Sequence, residues 1–209
     1  MKSVMISIHP KWCDLIASRK KTVEIRRTRP RIEIPFKCYI YCTLQGMNEA
    51  FASWEKDIAK YNRENWSERK GKVIGEFLCN EIDEFESEFW DDDTYERIVR
   101  IVHEADWEGF PDIKNYYVAE NGEENYLCKK SCLSWDELRR YVGQGCNTFY
   151  GWHISDINIY DNPKELCEFY KHDKTYDNAF GWAFEDRTQY VPITRPPQSW
   201  MYVEDKTWE

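Results

Sequence analysis

Residues 19–27 read Arg19-Lys20-Lys21-Thr22-Val23-Glu24-Ile25-Arg26-Arg27, and a dense run of charge meets a strand pattern there. From Thr22 onward the residues alternate. Thr22, Glu24 and Arg26 fall on one strand face, Val23 and Ile25 on the other, the period of two that an extended chain imposes. The apolar pair is expected to be buried and the charged trio displayed. Lys21 stands just ahead of this strand, where the chain leaves a preceding helix. Its ammonium reaches the same polar face, so two cations flank one carboxylate.

Upstream, residues 4–8 read as a short buried strand closed by His9-Pro10, with Pro10 placed as the first residue of a helix. Trp12, Leu15 and Ile16 follow at helical spacing. Downstream, residues 28–31 break regular structure, and residues 36–44 form a strand rich in aromatic and β-branched side chains. Residues 72–82 read as a core strand in which Gly75 marks a bulge or a close backbone approach. The intervening residues 45–70 predict a polar helical insertion. From Glu81 to Asp93 the chain carries eight acidic side chains and no basic one, the pattern of a solvated helix or loop.

Ile98, Ile101 and Val102 predict a helix over 95–103, and residues 108–124 a turn-rich surface loop. Ser134-Trp135-Asp136-Glu137 is a capping box that starts a helix running to about Tyr141. Residues 148–160 alternate with a slip near Ser155, which predicts a bulged strand. A short helix is expected over 164–171. The tail from Pro192 to Val203 is held extended by consecutive prolines and is expected to lie across the core.

The 209 residues are enough for one sizeable core, and 42% hydrophobic with 32% charged residues fits a soluble globular chain. No apolar run approaches the roughly 20 residues of a membrane span, and residues 1–4 lead into a strand without signal-peptide features. A cytoplasmic protein with no membrane partner is expected. The eight cysteines contain no C-x-x-C pair, so reduced, mostly buried thiols and no metal are expected. P-loop, dinucleotide-binding, H-E-x-x-H and G-x-S-x-G patterns are absent, which implies no cofactor.

The net charge of −9 argues against a general polyanion binder, but it is unevenly spread. Residues 1–37 hold ten Lys or Arg against Asp14, Glu24 and Glu33, a balance of +7, which leaves −16 for the remainder. A basic functional face on an acidic body has this signature; so does a set of basic residues paired with acidic insertions.

The segment resembles the ASCH domain family of the PUA-like superfamily, in its prokaryotic or phage form, whose hallmark is G-x-K-x-x-E-x-R. Lys21, Glu24 and Arg26 match, and Arg19 occupies the glycine position. Residues 5–12 and 73–77 are also similar to strands of that family. The resemblance implies an α+β fold: a PUA-like β-barrel with flanking helices and helical and acidic insertions, in one elaborated domain spanning 1–209. The barrel core would use about 1–44, 71–82, 148–160 and 190–204, with insertions at about 45–70 and 83–147.

The implied partner is single-stranded or structured RNA, or a nucleoside or nucleotide ligand, held in a basic cleft. Lys21, Arg26, Arg27 and Arg29 are expected at phosphates, Glu24 at a base amino group, and Thr22 and Arg195 beside them. Trp12, Trp152 and Trp200 are candidate stacking platforms, although a tryptophan in such a chain is more often a core residue. Glu24 is open to a second reading as an ion pair that only fixes the strand.

Some relatives in the family resemble N4-acetylcytidine amidohydrolases that use a lysine, a threonine three residues later and a glutamate on a later strand. Lys21 and Glu76 match the outer two, while Glu24 stands at the nucleophile position. A carboxylate there would activate water, with Lys21 stabilising developing charge. The resemblance also admits ribonuclease chemistry at Lys21, with His153 or His9 shuttling protons.

Overall fold

The computed structural model describes residues 2–44, 68–89, 96–105, 111–120, 126–143, 148–172 and 190–204. Strand β1 (Lys2–Ile8) leads into helix α1 (Pro10–Ala17), with Pro10 at its first position. Parallel strands need a long crossover. Here β1 pairs in parallel with β3 (Phe36–Cys42), Ile6 opposite Ile40, and α1 lies in the connection.

With β4 (Val73–Cys79), β9 (Ser155–Lys164), β10 (Tyr170–His172), β11 (Tyr190–Pro192) and β12 (Trp200–Glu204), these strands form a seven-stranded mixed sheet of order β11-β10-β12-β1-β3-β4-β9. Strand β2 (Val23–Arg26) belongs to a second, five-stranded antiparallel sheet, β2-β8-β5-β6-β7. Its other members are β5 (Ile82–Phe89), β6 (Glu96–Ala105), β7 (Pro111–Glu120) and β8 (Thr148–His153). Helices α2 (Tyr126–Ser131) and α3 (Trp135–Val142) complete the described elements of an α+β chain.

The chain divides into two compact units. The first comprises residues 1–17, 36–78 and 156–209. Its sheet packs Met5, Tyr39, Tyr41, Val73, Phe169, Ile193 and Val203 into one cluster, with the Tyr39 and Phe169 rings edge to face at 4.9 Å. A Cβ added at Gly75 would lie 2.5 Å from the Asn158 carbonyl oxygen, so Gly75 is a point of close backbone approach between β4 and β9. The proline-rich tail enters this sheet as β12, antiparallel to β1, with Val4 opposite Tyr202. Ser7 fastens the approach to β12: its N–H donates to Ser199 O and its hydroxyl to Pro197 O.

The second unit comprises residues 18–35 and 79–155. Val23, Ile25, Phe85 and Phe149 face Leu127 and Cys128 of α2 and Leu138 and Val142 of α3. The capping box at Ser134 is present in both directions: the Glu137 N–H donates to Ser134 Oγ, and the Ser134 N–H donates to the Glu137 carboxylate.

Several local expectations are corrected. The acidic segment after Glu81 is strand β5 as far as Phe89, because Asp83, Phe85 and Ser87 turn inward and Glu84 and Glu86 are only half-buried; residues 90–93 lie outside the described residues. The expected helix at 95–103 is strand β6. Its apolar residues, Ile98, Val99, Ile101 and Val102, fall on both sets of alternating positions, which is why they look helically spaced; the register shift at Ile98/Val99 comes from an extra residue of β7. The expected loop at 108–124 contains β7.

The single strand expected over 148–160 is two strands in different sheets, parted at Ile154, where the alternation slips. The helix expected over 164–171 is one 3₁₀ turn, Leu166–Glu168. Residues 45–67 of the expected helical insertion lie outside the described residues. No disulfide joins the described cysteines.

Candidate functional site

The turn into β2 is built without glycine. Arg19 itself takes the left-handed conformation at φ 60°, a backbone state that favours glycine for want of a Cβ. From there Lys21 runs back to the end of α2. Its Nζ donates to Ser131 O at 2.5 Å, and the Thr22 N–H donates to Lys130 O at 2.9 Å. These carbonyls belong to a helix C-terminus, where the last C=O groups lack helical partners and carry partial negative charge. An ammonium placed there has a structural use.

The same Nζ lies 3.2 Å from Glu24 Oε2, and Arg26 Nη2 lies 3.0 Å from Glu24 Oε1. Glu24 and Arg26 share a face because they are two residues apart on a strand. Of the residues expected on display from alternation, Thr22 is half-buried and Glu24 and Arg26 are buried at 7% and 8% exposed, with Lys21 beside them at 2%. The three charges sum to +1. Thr22 Oγ1, one residue along, is buried without a hydrogen-bond partner among the described residues.

Beyond the trio the chain comes to the surface with Arg27, Thr28 and Arg29 exposed. Arg27 donates through both Nε (2.9 Å) and Nη2 to Tyr141 O near the end of α3. Arg29 lies over the Tyr150 ring at 5.7 Å. Burial, and secondarily the Glu84 carboxylate, raise the Tyr150 phenol above its usual range against the opposing pull of Arg29.

The remaining expected residues divide by unit. Trp152, opposite Glu24 in the β2/β8 register, is fully buried and is a core residue rather than a stacking platform. Trp12, Glu76, Arg195 and Trp200 belong to the first unit. There Lys11 lies 4.5 Å over the Trp12 ring, and Trp200 packs edge to face on Tyr202. Glu76 accepts a 2.7 Å hydrogen bond from the Tyr160 hydroxyl and has Lys37 Nζ at 3.8 Å. Arg195 is exposed.

Sequence reasoning named His153 but missed its partners. Val23 pairs with His153 and Ile25 with Gly151, while Asp83 also pairs with Gly151. Paired residues share a face, so His153 and Asp83 lie on the side of Val23 and Ile25, opposite the face of Glu24 and Arg26. His153 Nε2 is 2.8 Å from Asp83 Oδ2, and its Nδ1 is 3.6 Å from Glu81 Oε2. The signal available in the sequence was the Glu81-x-Asp83 spacing, which puts two carboxylates on one strand face. The histidine that meets them is 70 residues on from Asp83.

No family model matches the chain, and no curated protein matches it. Among solved structures, the chain is similar to the ASCH protein from Zymomonas mobilis at 17% identity, over 97% of this chain and 87% of that one, with a TM-score of 0.48. Two point mutants of the same protein match at 18% and 17% identity, over 98% and 97% of this chain and 91% and 88% of theirs, each with a TM-score of 0.48.

Proposed function

We propose that the chain, as one elaborated PUA-like domain, binds RNA or a nucleotide-like ligand at the basic segment around Lys21, Glu24 and Arg26. The supporting observation is the charged cluster itself: Lys21 and Arg26 meet the Glu24 carboxylate at low exposure. Burying charged groups is costly, and such clusters are often found at functional sites. Arg27 and Arg29 extend the cationic strip to the surface, Glu24 accepts from a base amino group, and Thr22 lies beside them.

The test is fluorescence anisotropy of a short labelled single-stranded RNA, in parallel with calorimetry of a mononucleotide. Binding is expected to weaken as salt rises, with a log–log slope of about −0.7 per phosphate contacted. Arg29→Ala, at an exposed position, is expected to lower that slope by roughly one contact. Salt-insensitive binding, or binding unchanged in both Arg29→Ala and Arg26→Gln, would refute the reading.

A second reading, hydrolysis at Glu76, draws on the way Tyr160 and Lys37 pin its carboxylate. Release of acetate from N4-acetylcytidine, lost in Glu76→Gln, would replace the binding reading with this one.

A further inference from the structure

The cluster on the other face of the five-stranded sheet has a chemistry of its own. Glu81 immediately precedes β5, and Asp83 follows two residues later on the same face. His153 ends β8 and pairs with Glu81 through its backbone, the His153 N–H donating to Glu81 O at 3.0 Å. Across from Asp83 stands Gly151, which has no side chain. The imidazole therefore leans along the diagonal over that empty position until Nε2 reaches Asp83 Oδ2.

Gly151 keeps the position empty for a packing reason as well. A Cβ there would lie 3.0 Å from both Val23 Cγ1 and Phe85 Cε2. The site is thus a consequence of the sheet register together with one glycine.

We propose that Glu81, Asp83 and His153 hold a divalent transition-metal ion of the zinc type. One ligand atom from each residue lies within 4.8 Å of the other two. Tetrahedral ligands bonded at about 2.1 Å stand about 3.4 Å apart, so closing the set needs a shift of roughly 1.4 Å at most. Glu81 supplies that movement, because its side chain is 52% exposed, whereas Asp83 is 4% exposed and held in place.

With a neutral imidazole the three side chains carry −2, the charge a divalent ion cancels. One nitrogen and two carboxylate oxygens suit zinc or a neighbouring d-block ion better than magnesium, which favours oxygen alone. Three protein ligands leave a fourth position for water or a ligand, reached from the exposed Glu81 side. The site is independent of the nucleotide reading, since it faces away from Glu24 and Arg26 across the same sheet.

The experiment uses the full chain, stripped with chelator and titrated with Co²⁺ by absorbance and with Zn²⁺ by competition against a chromophoric chelator. One equivalent should bind without thiolate charge-transfer bands, which separates this site from the cysteines. His153→Gln and Asp83→Asn should each weaken binding by about 100-fold or more, beyond the 10- to 100-fold that loss of a mere supporting residue costs. Glu81→Gln changes an exposed side chain, so its fold is secure, and it should weaken binding by at least about tenfold. Absence of binding to wild type, thiolate bands on the bound ion, or equal affinity in wild type and Glu81→Gln would overturn the proposal.

Discussion

Replacing Glu24 by glutamine removes one charge and almost no volume, and leaves two buried cations facing each other. In the folded protein the carboxylate has Lys21 Nζ at 3.2 Å on one oxygen and Arg26 Nη2 at 3.0 Å on the other. Each contact attracts by about 5 kcal/mol at an effective dielectric constant of about 20. Glutamine recovers part of that, because its carbonyl still accepts from one cation and the carboxylate no longer has to be desolvated. Breaking a buried pair by deleting one partner costs about 3–5 kcal/mol, and a loss in that range is expected here.

Urea denaturation followed by circular dichroism measures it as a lower midpoint at unchanged slope. The double variant Lys21→Met/Glu24→Gln is the sharper test, because methionine fills the lysine's space and removes one of the two cations that lose the carboxylate. It should be more stable than Glu24→Gln alone by at least about 1 kcal/mol, a coupling of the size that residues in contact show. A single variant that loses less than about 1 kcal/mol, or a double variant that loses the sum of its singles, would refute the account of the trio as a mutually dependent buried cluster.

Two further perturbations test the packing and ionisation described above. Gly151→Ala drives a methyl to 3.0 Å from Val23 and Phe85, and overpacking of this kind costs about 1–3 kcal/mol; an unchanged thermal midpoint would contradict it. Burial pushes the Cys79 thiol up to about 12 from 9.0, and burial also raises the phenols of Tyr41 and Tyr150 above 10.0. Above pH 9 the unfolded chain therefore loses protons that the folded chain keeps, and stability falls as pH rises toward 12. Cys79→Ala should flatten that alkaline decline in urea midpoints, and an equally steep decline in the variant would place its cause elsewhere.

What the sequence disclosed followed the strength of its periodic signal. The β1–α1 start, β3 and the capped helix α3 were legible because a buried apolar run, a helix-starting proline and a reciprocal cap each have a local cause. Strands β5 to β7 were not, for three separate physical reasons. In β5 the inward positions include Asp83 and Ser87, so the buried face does not look apolar. In β6 apolar residues occupy both sets of alternating positions, so no period of two shows. In β7 the flanking glycine and proline read as turns and hid the strand between them.

At the site, the trio was legible as a set of neighbours but not as buried, because alternation assigns residues to faces and does not say what covers a face. The partners of His153 were illegible because strand register, which joins residues 70 apart, is a tertiary fact.

The pairing of β1 with β12 sets a timetable for synthesis. Residues 2–6 hydrogen-bond to residues 200–204 on one side and, in β1, to β3 on the other. At about 5–20 residues per second the ribosome needs roughly 10–40 seconds to deliver the second partner after the first strand emerges. Throughout that interval β1 can be covered on its β3 side alone, and its other edge stays open to any extended segment that meets it. The order of chain growth thus makes the last strand of the seven-stranded sheet the one that seals the first.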